Sequence, residues 1–524
     1  MKIAIIGAGP AGLTCAKQAI ARGHDVTVFE RCAQLGGIWS PESGGAYPSV
    51  RMQTSRFAFH YSDFKPQEEV SGMFLTLQEV FGYLSDYAKT FGVLDRIQFC
   101  SEVQQVSRHD GKWTIDSMGA MGKRRQSFDR LIVAIGELWK PRMPERAKSC
   151  ASCQILSAKD YVSPVDFAGR KTLVVGGGVS GADIASEIAQ TGAPVHWAVR
   201  TNYFFLPRMW GAHPNDGIFS YAGRAVVQQW SCAKYIHFLK QLMPGYMRKY
   251  EETGLLPRDG PNNAVHINDT IIEAVWEGRV QARAAFRSLD GDGTIQFSDD
   301  SEERYECVVF CTGYEVPAYS FIQAFDITDL YEHFFFRKDP TLAVVNTPAN
   351  VDGFGTACPF FEAIGFWVLS VFDGDVTLPG AEEMREWCND HRNLIAKRRF
   401  YDCWLETIRI GLKSGQIPDP TAEFSEYWNI VSSLVTPANL KQSTIQSVPA
   451  PYDSLADVSS VKMRILASLN ARTRECLVHK GQITREEAQA AELVPDHEVM
   501  HPSLTPALAE VGTSSGEECH QNRH

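Results

Sequence analysis

Residues 2–30 read KIAIIGAGPAGLTCAKQAIARGHDVTVFE. A short apolar run leads into the glycine-rich loop GAGPAG at residues 7–12. A helical stretch to about Arg22 follows, and a second apolar run ends at Glu30. A strand, a glycine loop, a helix and a second strand form a β-α-β unit, which is the building block of an open parallel sheet.

Residues 171–200 repeat this pattern in the sequence KTLVVGGGVSGADIASEIAQTGAPVHWAVR. The loop GGGVSG at residues 176–181 follows an apolar run, and the second strand of this copy ends at Arg200. A single glycine loop of this kind is weak evidence, because glycine turns between strands and helices are common. Two copies, each with its strands and helix, predict an α/β fold with two Rossmann-like dinucleotide-binding domains.

Each glycine of a G-x-G-x-x-G loop removes a side chain that would clash. The first permits a tight turn, the second lets backbone amides approach a pyrophosphate, and the third lets helix and strand pack closely. The helix N-terminus then directs unpaired N–H groups towards the phosphates. The predicted phosphate-binding residues are Gly7, Gly9, Pro10, Ala11 and Gly12 in the first copy, and Gly176, Gly178, Val179, Ser180 and Gly181 in the second.

The residue that ends the second strand differs between the copies. Glu30 lies 23 positions after Gly7, and Arg200 lies 24 positions after Gly176. A carboxylate there accepts hydrogen bonds from ribose hydroxyls and repels a 2′-phosphate, whereas an arginine binds that phosphate. The first site therefore fits FAD or NAD, and the second, with Thr201 beside Arg200, fits NADPH better than NADH. The alternative for Arg200 is an ordinary surface arginine, because strand ends are usually exposed.

FAD and NADPH in one chain imply hydride transfer from NADPH to the flavin. We expect the NADPH domain to be inserted in the FAD domain, and we expect helical additions at the C-terminus. The predicted segments are 1–165 (first part of the FAD domain), 166–309 (NADPH domain), 310–445 (return of the FAD domain, mostly helical) and 446–524 (a polar, partly disordered extension). The main predicted elements outside the two units are helices at 76–91 and 354–372, strands at 96–106, 112–117 and 128–135, and surface helix within 461–493.

Further motifs, spread over residues 1–440, resemble the flavin-containing monooxygenase family, of the single-component type with two dinucleotide domains. The flavin-side motifs GG-[LI]-W and S-x-x-x-N-T-S-K…SDF are matched by residues 36–39 and by SVRMQTSRFAFHYSDF at 49–64. The other matching segments are GGGVSGADIA at 176–185, FCTGY at 310–314 and the E-x-Q-A-R-W…L-P-like stretch at 362–379.

This resemblance implies an NADPH-dependent FAD monooxygenase that inserts one oxygen atom of O2 into a small organic substrate through a flavin C4a-(hydro)peroxide, with a role in secondary metabolism. Gln53 replaces the family's asparagine beside the flavin, and it keeps the amide donor and acceptor. It is the predicted catalytic residue. The resemblance also implies that the cofactors contact Gly37, Trp39, Gln53, Thr54, Val103 and Thr312.

The chain departs from the family in the fingerprint F-x-G-x-x-x-H-x-x-x-[YW]. The best match is residues 151–161, where Cys153 replaces the glycine, Ser157 replaces the histidine and only Tyr161 is retained. Tyrosine rather than tryptophan at that position favours N- or S-oxygenation or hydroxylation. The alternatives are Baeyer–Villiger oxygenation of a ketone and, in a different class, a flavin-binding protein that does not oxygenate.

Composition excludes several other functions. The 524 residues are 44% hydrophobic with a net charge of −11, and no block of basic residues points to nucleic acid. The 13 cysteines and 14 histidines form no metal-binding spacing, so we expect no metal site. The Cys150-x-x-Cys153 spacing is interpreted as coincidence rather than a redox dithiol, and His60 as a structural residue.

The N-terminus and the apolar segments bear on location. An apolar run begins almost at Met1 and enters the glycine loop directly, so a cleaved signal peptide would destroy the fold. Residues 354–372 are apolar, but Pro359 and Glu362 interrupt them, whereas a membrane span needs about 20 nearly uncharged residues. We therefore expect a cytoplasmic protein with no transmembrane anchor.

Overall fold

The computed structural model describes residues 1–43, 45–67, 72–147, 150, 152–257, 265–345, 357–397, 403–434, 436–437 and 450–504. Its strands, in chain order, are β1 (Lys2–Ile6), β2 (Asp25–Phe29), β3 (Ile97–Gln98), β4 (Glu102–His109), β5 (Lys112–Gly119), β6 (Gly122–Phe128), β7 (Arg130–Val133), β8 (Gln154–Ser157), β9 (Thr172–Val175), β10 (Val195–Ala198), β11 (Phe204–Leu206), β12 (Met209–Trp210), β13 (His213–Pro214), β14 (Val265–Ile267), β15 (Val280–Arg283), β16 (Phe286–Leu289), β17 (Thr294–Phe297), β18 (Glu302–Arg304), β19 (Cys307–Phe310), β20 (Leu330–Tyr331), β21 (Phe335–Phe336) and β22 (Leu342–Val344). Its helices are α1 (Pro10–Ala21), α2 (Arg56–Phe59), α3 (Leu77–Thr90), α4 (Val179–Ala189), α5 (Tyr221–Val227), α6 (Cys232–Leu242), α7 (Pro244–Glu252), α8 (Ile271–Trp276), α9 (Ala357–Asp373), α10 (Ala381–Lys397), α11 (Cys403–Ser414), α12 (Phe424–Val431), α13 (Val458–Ser468), α14 (Ala471–His479) and α15 (Arg485–Glu492).

The first sheet has seven strands in the order β20-β21-β22-β7-β1-β2-β3. Strand β1 runs parallel to β2 and to β7, so the carboxyl ends of all three strands meet at one edge. The register pairs Ile6 with Phe29, which places Gly7 and Glu30 side by side at that edge. The central strands are buried on both faces, as expected for a parallel sheet covered by helices.

Helices α1 and α9 cover this sheet and pack closely against each other. A Cβ atom on Gly365 would lie 3.1 Å from the Cys15 Sγ atom, so glycine permits the close approach. The Gln18 amide of α1 donates a hydrogen bond of 2.9 Å to the Glu362 carbonyl of α9. The predicted buried helix at 354–372 is therefore confirmed as α9 within the described residues, and it comes from the chain's return after the second sheet.

The second sheet has five parallel strands in the order β15-β10-β9-β19-β8. The first sheet takes strands from both sides of this segment, so the second domain is inserted in the first, as predicted. One boundary differs from the prediction. The second sheet begins at Gln154, before the predicted boundary at residue 166, because β8 pairs with β19 and adds an edge strand to this sheet.

Two other regions also differ from the prediction. Between Gly313 and Val345 the chain forms short strands and irregular structure rather than helix, and helices begin only at α9. The predicted surface helix near the C-terminus consists of α13, α14 and α15, and α13 buries Val461, Ile465 and Leu466 against the core. Residues 505–524, part of the segment predicted to be disordered, lie outside the described residues. No helix in the described ranges is long and apolar enough to cross a membrane.

Candidate functional site

The first glycine loop has two glycines that its own fold requires. Gly7 adopts φ +106°, which side chains rarely adopt, and a Cβ on Gly12 would lie 2.0 Å from the Gly7 carbonyl oxygen. Gly9 is different. The nearest atom to a Cβ at Gly9 is the Gly37 Cα at 3.6 Å, an ordinary contact distance. A Cβ atom at the middle glycine is therefore compatible with the fold, and the space in front of the N-terminus of α1 is open to a ligand.

The second loop reproduces this pattern. Gly176 adopts φ +132°, and a Cβ on Gly181 would lie 2.1 Å from the Gly176 carbonyl oxygen. A Cβ on Gly178 would meet no atom within 4 Å. In each loop the first and third glycines satisfy backbone geometry, and the middle glycine keeps open the space in front of a helix N-terminus. Two phosphate cradles are the arrangement that these glycines permit.

The residues at the two strand ends lie against their loops. The Glu30 carboxylate accepts hydrogen bonds from the amides of Ala8 (2.8 Å) and Cys32 (2.9 Å), which fix its orientation. In the second loop, a Cβ on Gly177 would lie 3.2 Å from the Thr201 carbonyl oxygen. Arg200 is therefore beside the second loop, and its side chain is exposed with no ion pair to the described residues. A buried, fixed carboxylate suits ribose hydroxyls, and an exposed guanidinium suits a phosphate.

A cavity of about 450 Å³ opens from the first loop. Eight of the predicted cofactor residues line it, namely Gly7, Gly9, Pro10, Ala11, Glu30, Gly37, Trp39 and Val103. Phe59, Cys358 and Phe361 add an apolar wall, and residues 134–140 add a second wall at the carboxyl end of β7. A cavity lined by a phosphate cradle, a carboxylate suited to ribose and an apolar wall fits a flavin dinucleotide.

Comparison with known proteins agrees with this geometry. The family model described as flavin-binding monooxygenase-like matches residues 1–412. The chain belongs to this family. Rat flavin-containing monooxygenase 5 is 29% identical to this flavin-binding monooxygenase over 437 residues, which cover 78% of this chain and 80% of the rat protein.

Two solved structures share the fold of this monooxygenase. S-allyl-L-cysteine S-oxygenase from Allium sativum aligns with a TM-score of 0.57 at 21% identity, over 79% of this chain and 88% of that one. Cyclohexanone monooxygenase bound to epsilon-caprolactone aligns with a TM-score of 0.58 at 16% identity, over 79% and 98%. Membership of the family makes the protein a flavin-dependent monooxygenase with FAD and NADPH as cofactors.

Gln53 does not line the cavity of the monooxygenase. Its side-chain oxygen accepts a hydrogen bond of 3.3 Å from the Ile267 amide of β14, and its carbonyl accepts one of 2.8 Å from Asn215. Thr54 is buried beside it, outside the cavity lining. Thr312 lies between the domains, where its hydroxyl donates to the Arg142 carbonyl. These three residues are therefore placed at the junction of the domains, and a cofactor role for them stays a prediction.

The same junction contains polar side chains that sequence reasoning did not select. Asp183 of the GADIA motif is half-buried and accepts hydrogen bonds from the Tyr47 hydroxyl and the Asn268 amide. Burial raises its pKa, and these two hydrogen bonds act in the opposite direction. Glu187, one turn later on α4, accepts from Ser49 (2.9 Å) and from Tyr161 (2.7 Å). The motif residues thus join the flavin-side segment to the second domain.

Residues 134–140 were also missed. The segment follows an apolar strand and contains Gly136, which has φ +68°. A glycine directly after a buried parallel strand could have indicated it, since ligands bind at the carboxyl ends of such strands. In the same segment the Trp139 ring packs against the Arg31 guanidinium, with 4.5 Å from the guanidinium carbon to the ring centroid.

The structure agrees with the interpretations that Cys153 is not part of a redox dithiol and that His60 is a structural residue. Burial raises the pKa of the Cys153 thiol to about 12, which leaves little thiolate at neutral pH. Burial lowers the pKa of His60 to about 4, and its Nδ1 donates to the Tyr61 carbonyl at 2.7 Å. Within the described ranges, no group of three or more histidine, cysteine or carboxylate side chains could hold a metal ion.

Proposed function

We propose that the protein uses NADPH and O2 to insert one oxygen atom into a small organic substrate. The observation that carries the proposal is the pair of matching loops, whose middle glycines leave room that the fold itself does not need. Bound FAD supplies the hydride acceptor and the chemistry that activates O2, which side chains alone cannot provide. The protein supplies the binding, the orientation and the exclusion of water.

In this proposal the first loop and the N-terminus of α1 hold the pyrophosphate of FAD, and Glu30 accepts hydrogen bonds from its ribose. The second loop and α4 hold NADPH, with Arg200 and Thr201 at the 2′-phosphate. Trp39, Phe59 and Phe361 then surround the flavin ring and the substrate. These walls are apolar and largely buried, so we propose a substrate with an apolar body.

The test is a screen of amines, thioethers, phenols and ketones with the purified protein, NADPH and ¹⁸O2. We expect at least one compound to gain a single labelled oxygen as NADPH is oxidised, with mass spectrometry as the measurement. We propose N- or S-oxygenation or hydroxylation as the reaction, because Tyr161 replaces the tryptophan of the alternative fingerprint. An ester identified by NMR from a ketone substrate would instead establish Baeyer–Villiger oxygenation. NADPH oxidation that places all of the label in H2O2, with none in any organic compound of the screen, would contradict the proposal.

Arg200→Ala is expected to lower the affinity for NADPH by about 10- to 150-fold and to leave that for NADH nearly unchanged. A charge-assisted hydrogen bond to a phosphate contributes about 1.5–3 kcal/mol, and NADH has no 2′-phosphate. The measurement is anaerobic flavin reduction at varied coenzyme concentration. Arg208 and Arg279 are poor controls because they pair with Asp269 and Glu277. Arg304→Ala is the control, because it removes another exposed arginine of the same domain. Equal affinity of the wild type for both coenzymes would refute the role of Arg200.

Gln53→Leu is expected to leave flavin reduction nearly intact and to raise the share of NADPH that ends as H2O2 by at least about twofold. The Ile267 amide loses its acceptor, and a hydrogen bond between uncharged groups contributes about 0.5–1.5 kcal/mol. We propose that this contact holds the second domain in the orientation that limits water entry. A peroxide assay beside NADPH consumption measures the effect, with Gln53→Asn as the variant that keeps an amide. Unchanged coupling in the leucine variant would make Gln53 a packing residue only.

A further inference from the structure

Glu137 is a charged residue in the cavity for which the family assignment provides no role. It lies in the loop after β7 and lines the cavity. Burial raises the pKa of its carboxyl to about 7. The described residues offer this carboxyl neither a hydrogen bond nor an ion pair. Glu137 is half-buried, so its carboxyl reaches the cavity space, and a carboxyl in a ligand cavity with no protein partner is available to a polar group of the ligand.

The surroundings place Glu137 at the adenosine end of the cavity. Trp139, two residues further on, packs on Arg31, and Arg31 directly follows the ribose carboxylate Glu30. Val103 and Phe321 line the same cavity, and a backbone pairing between residues 106 and 322 holds their two segments together. A base attached to the ribose at Glu30 would therefore lie among Val103, Phe321 and the loop that carries Glu137.

The other carboxylates of the cavity are already engaged. Glu30 is held by two backbone amides, and Glu315 pairs with Lys140 at 2.6 Å. Glu102 is exposed and accepts a hydrogen bond of 2.9 Å from Gln104. Glu137 faces one further titratable group, the Tyr319 hydroxyl. Burial raises the pKa of this hydroxyl, and the negative charge of Glu137 raises it further. Glu137 is thus the cavity carboxylate that is left to bind a ligand group.

We propose that Glu137 recognises the adenine of FAD by accepting a hydrogen bond from its 6-amino group. An ionised carboxylate accepts hydrogen bonds and cannot donate them, and the amino group of adenine is a donor. A purine with a 6-oxo group presents an acceptor at the same position, which the carboxylate repels. The proposal rests on the assignment of FAD to this cavity and adds a residue that selects the base.

The test compares the binding of FAD and of flavin hypoxanthine dinucleotide, which carries a 6-oxo group in place of the amino group. Both are titrated into the flavin-free protein at pH 8.5, where Glu137 is ionised, and flavin fluorescence gives the dissociation constants. We expect the wild type to bind FAD at least about tenfold more tightly, since a hydrogen bond to a charged group is replaced by repulsion. Equal binding of the two dinucleotides by the wild type would overturn the proposal without use of any variant.

Glu137→Gln tests the residue itself. An amide donates or accepts according to its rotation, so this variant is expected to bind the two dinucleotides within about twofold of each other. Glu102→Gln, at the same end of the cavity, should keep the wild-type preference. A Glu137→Gln protein that still prefers FAD tenfold would overturn the proposal, and a thermal melt of each flavin-free variant shows that it is folded. If neither dinucleotide binds the wild type, the assignment of FAD fails as well, and that result differs from binding without preference.

Discussion

Gly9→Asp is expected to yield a folded, colourless protein whose affinity for FAD is lower by a factor of about 1,000 or more. The backbone accepts the Cβ atom of the new residue, because it would lie 3.6 Å from its nearest neighbour, the Gly37 Cα atom. The added carboxylate occupies the space of the pyrophosphate and repels it. Two like charges about 4 Å apart near a protein surface repel by about 4 kcal/mol. The ratio of flavin to protein absorbance after purification measures the loss.

Two variants in the same loop separate binding from folding. Gly9→Ala adds a methyl group without charge, so it is expected to weaken FAD binding less than aspartate does. Gly12→Ala places its Cβ 2.0 Å from the Gly7 carbonyl oxygen, so it should lower the melting temperature of the flavin-free protein itself. If Gly9→Asp purified with full flavin content, the first loop would not be the FAD site.

The elements of the two glycine units could be predicted from the sequence because local and tertiary demands agree there. Apolar runs of strand length, glycines at fixed spacing and amphipathic helices all point to the same β-α-β structure. The predicted second strand of the second copy, which ends at Arg200, is β10. Glycine spacing also located Gly7 and Gly176, because positive φ is a local requirement that few other residues meet.

Other elements depend on partners far away in the sequence. Strand β6 has the sequence GKRRQSF and is mostly exposed, so no apolar alternation marks it, and its pairing with β5 alone defines it. Strand β8 becomes a strand of the second sheet only through β19, about 150 positions later. Residues 330–336 lie in the segment that was predicted to be mostly helical, but Leu330–Tyr331 and Phe335–Phe336 pair as two short strands at one end of the first sheet.

The residues of the site also fall into those that the sequence predicts and those that only the fold brings together. The loop glycines and Glu30 follow from spacing along the chain, whereas Glu137, Phe59 and Phe361 reach the cavity from three separate segments. The resemblance placed Gln53 beside the flavin, but the structure places its side chain on the backbone of β14. Such a contact between domains could not be read from one sequence, since nothing in the residues near Gln53 indicates which strand faces it.

Gly178→Asp is expected to yield a yellow protein whose flavin is reduced by NADPH at least about 100-fold more slowly at a fixed, subsaturating NADPH concentration. A Cβ at Gly178 meets no atom within 4 Å, so the fold and the FAD site remain intact. The carboxylate opposes the NADPH pyrophosphate at the N-terminus of α4, and about 3 kcal/mol of repulsion corresponds to a factor of about 100. Anaerobic stopped-flow absorbance measures the rate, and chemical reduction with dithionite shows that the flavin itself is intact. Gly9→Asp and Gly178→Asp thus remove the two cofactors separately. A normal NADPH rate in the yellow variant would mean that NADPH binds elsewhere, because a carboxylate in its phosphate cradle is incompatible with tight binding.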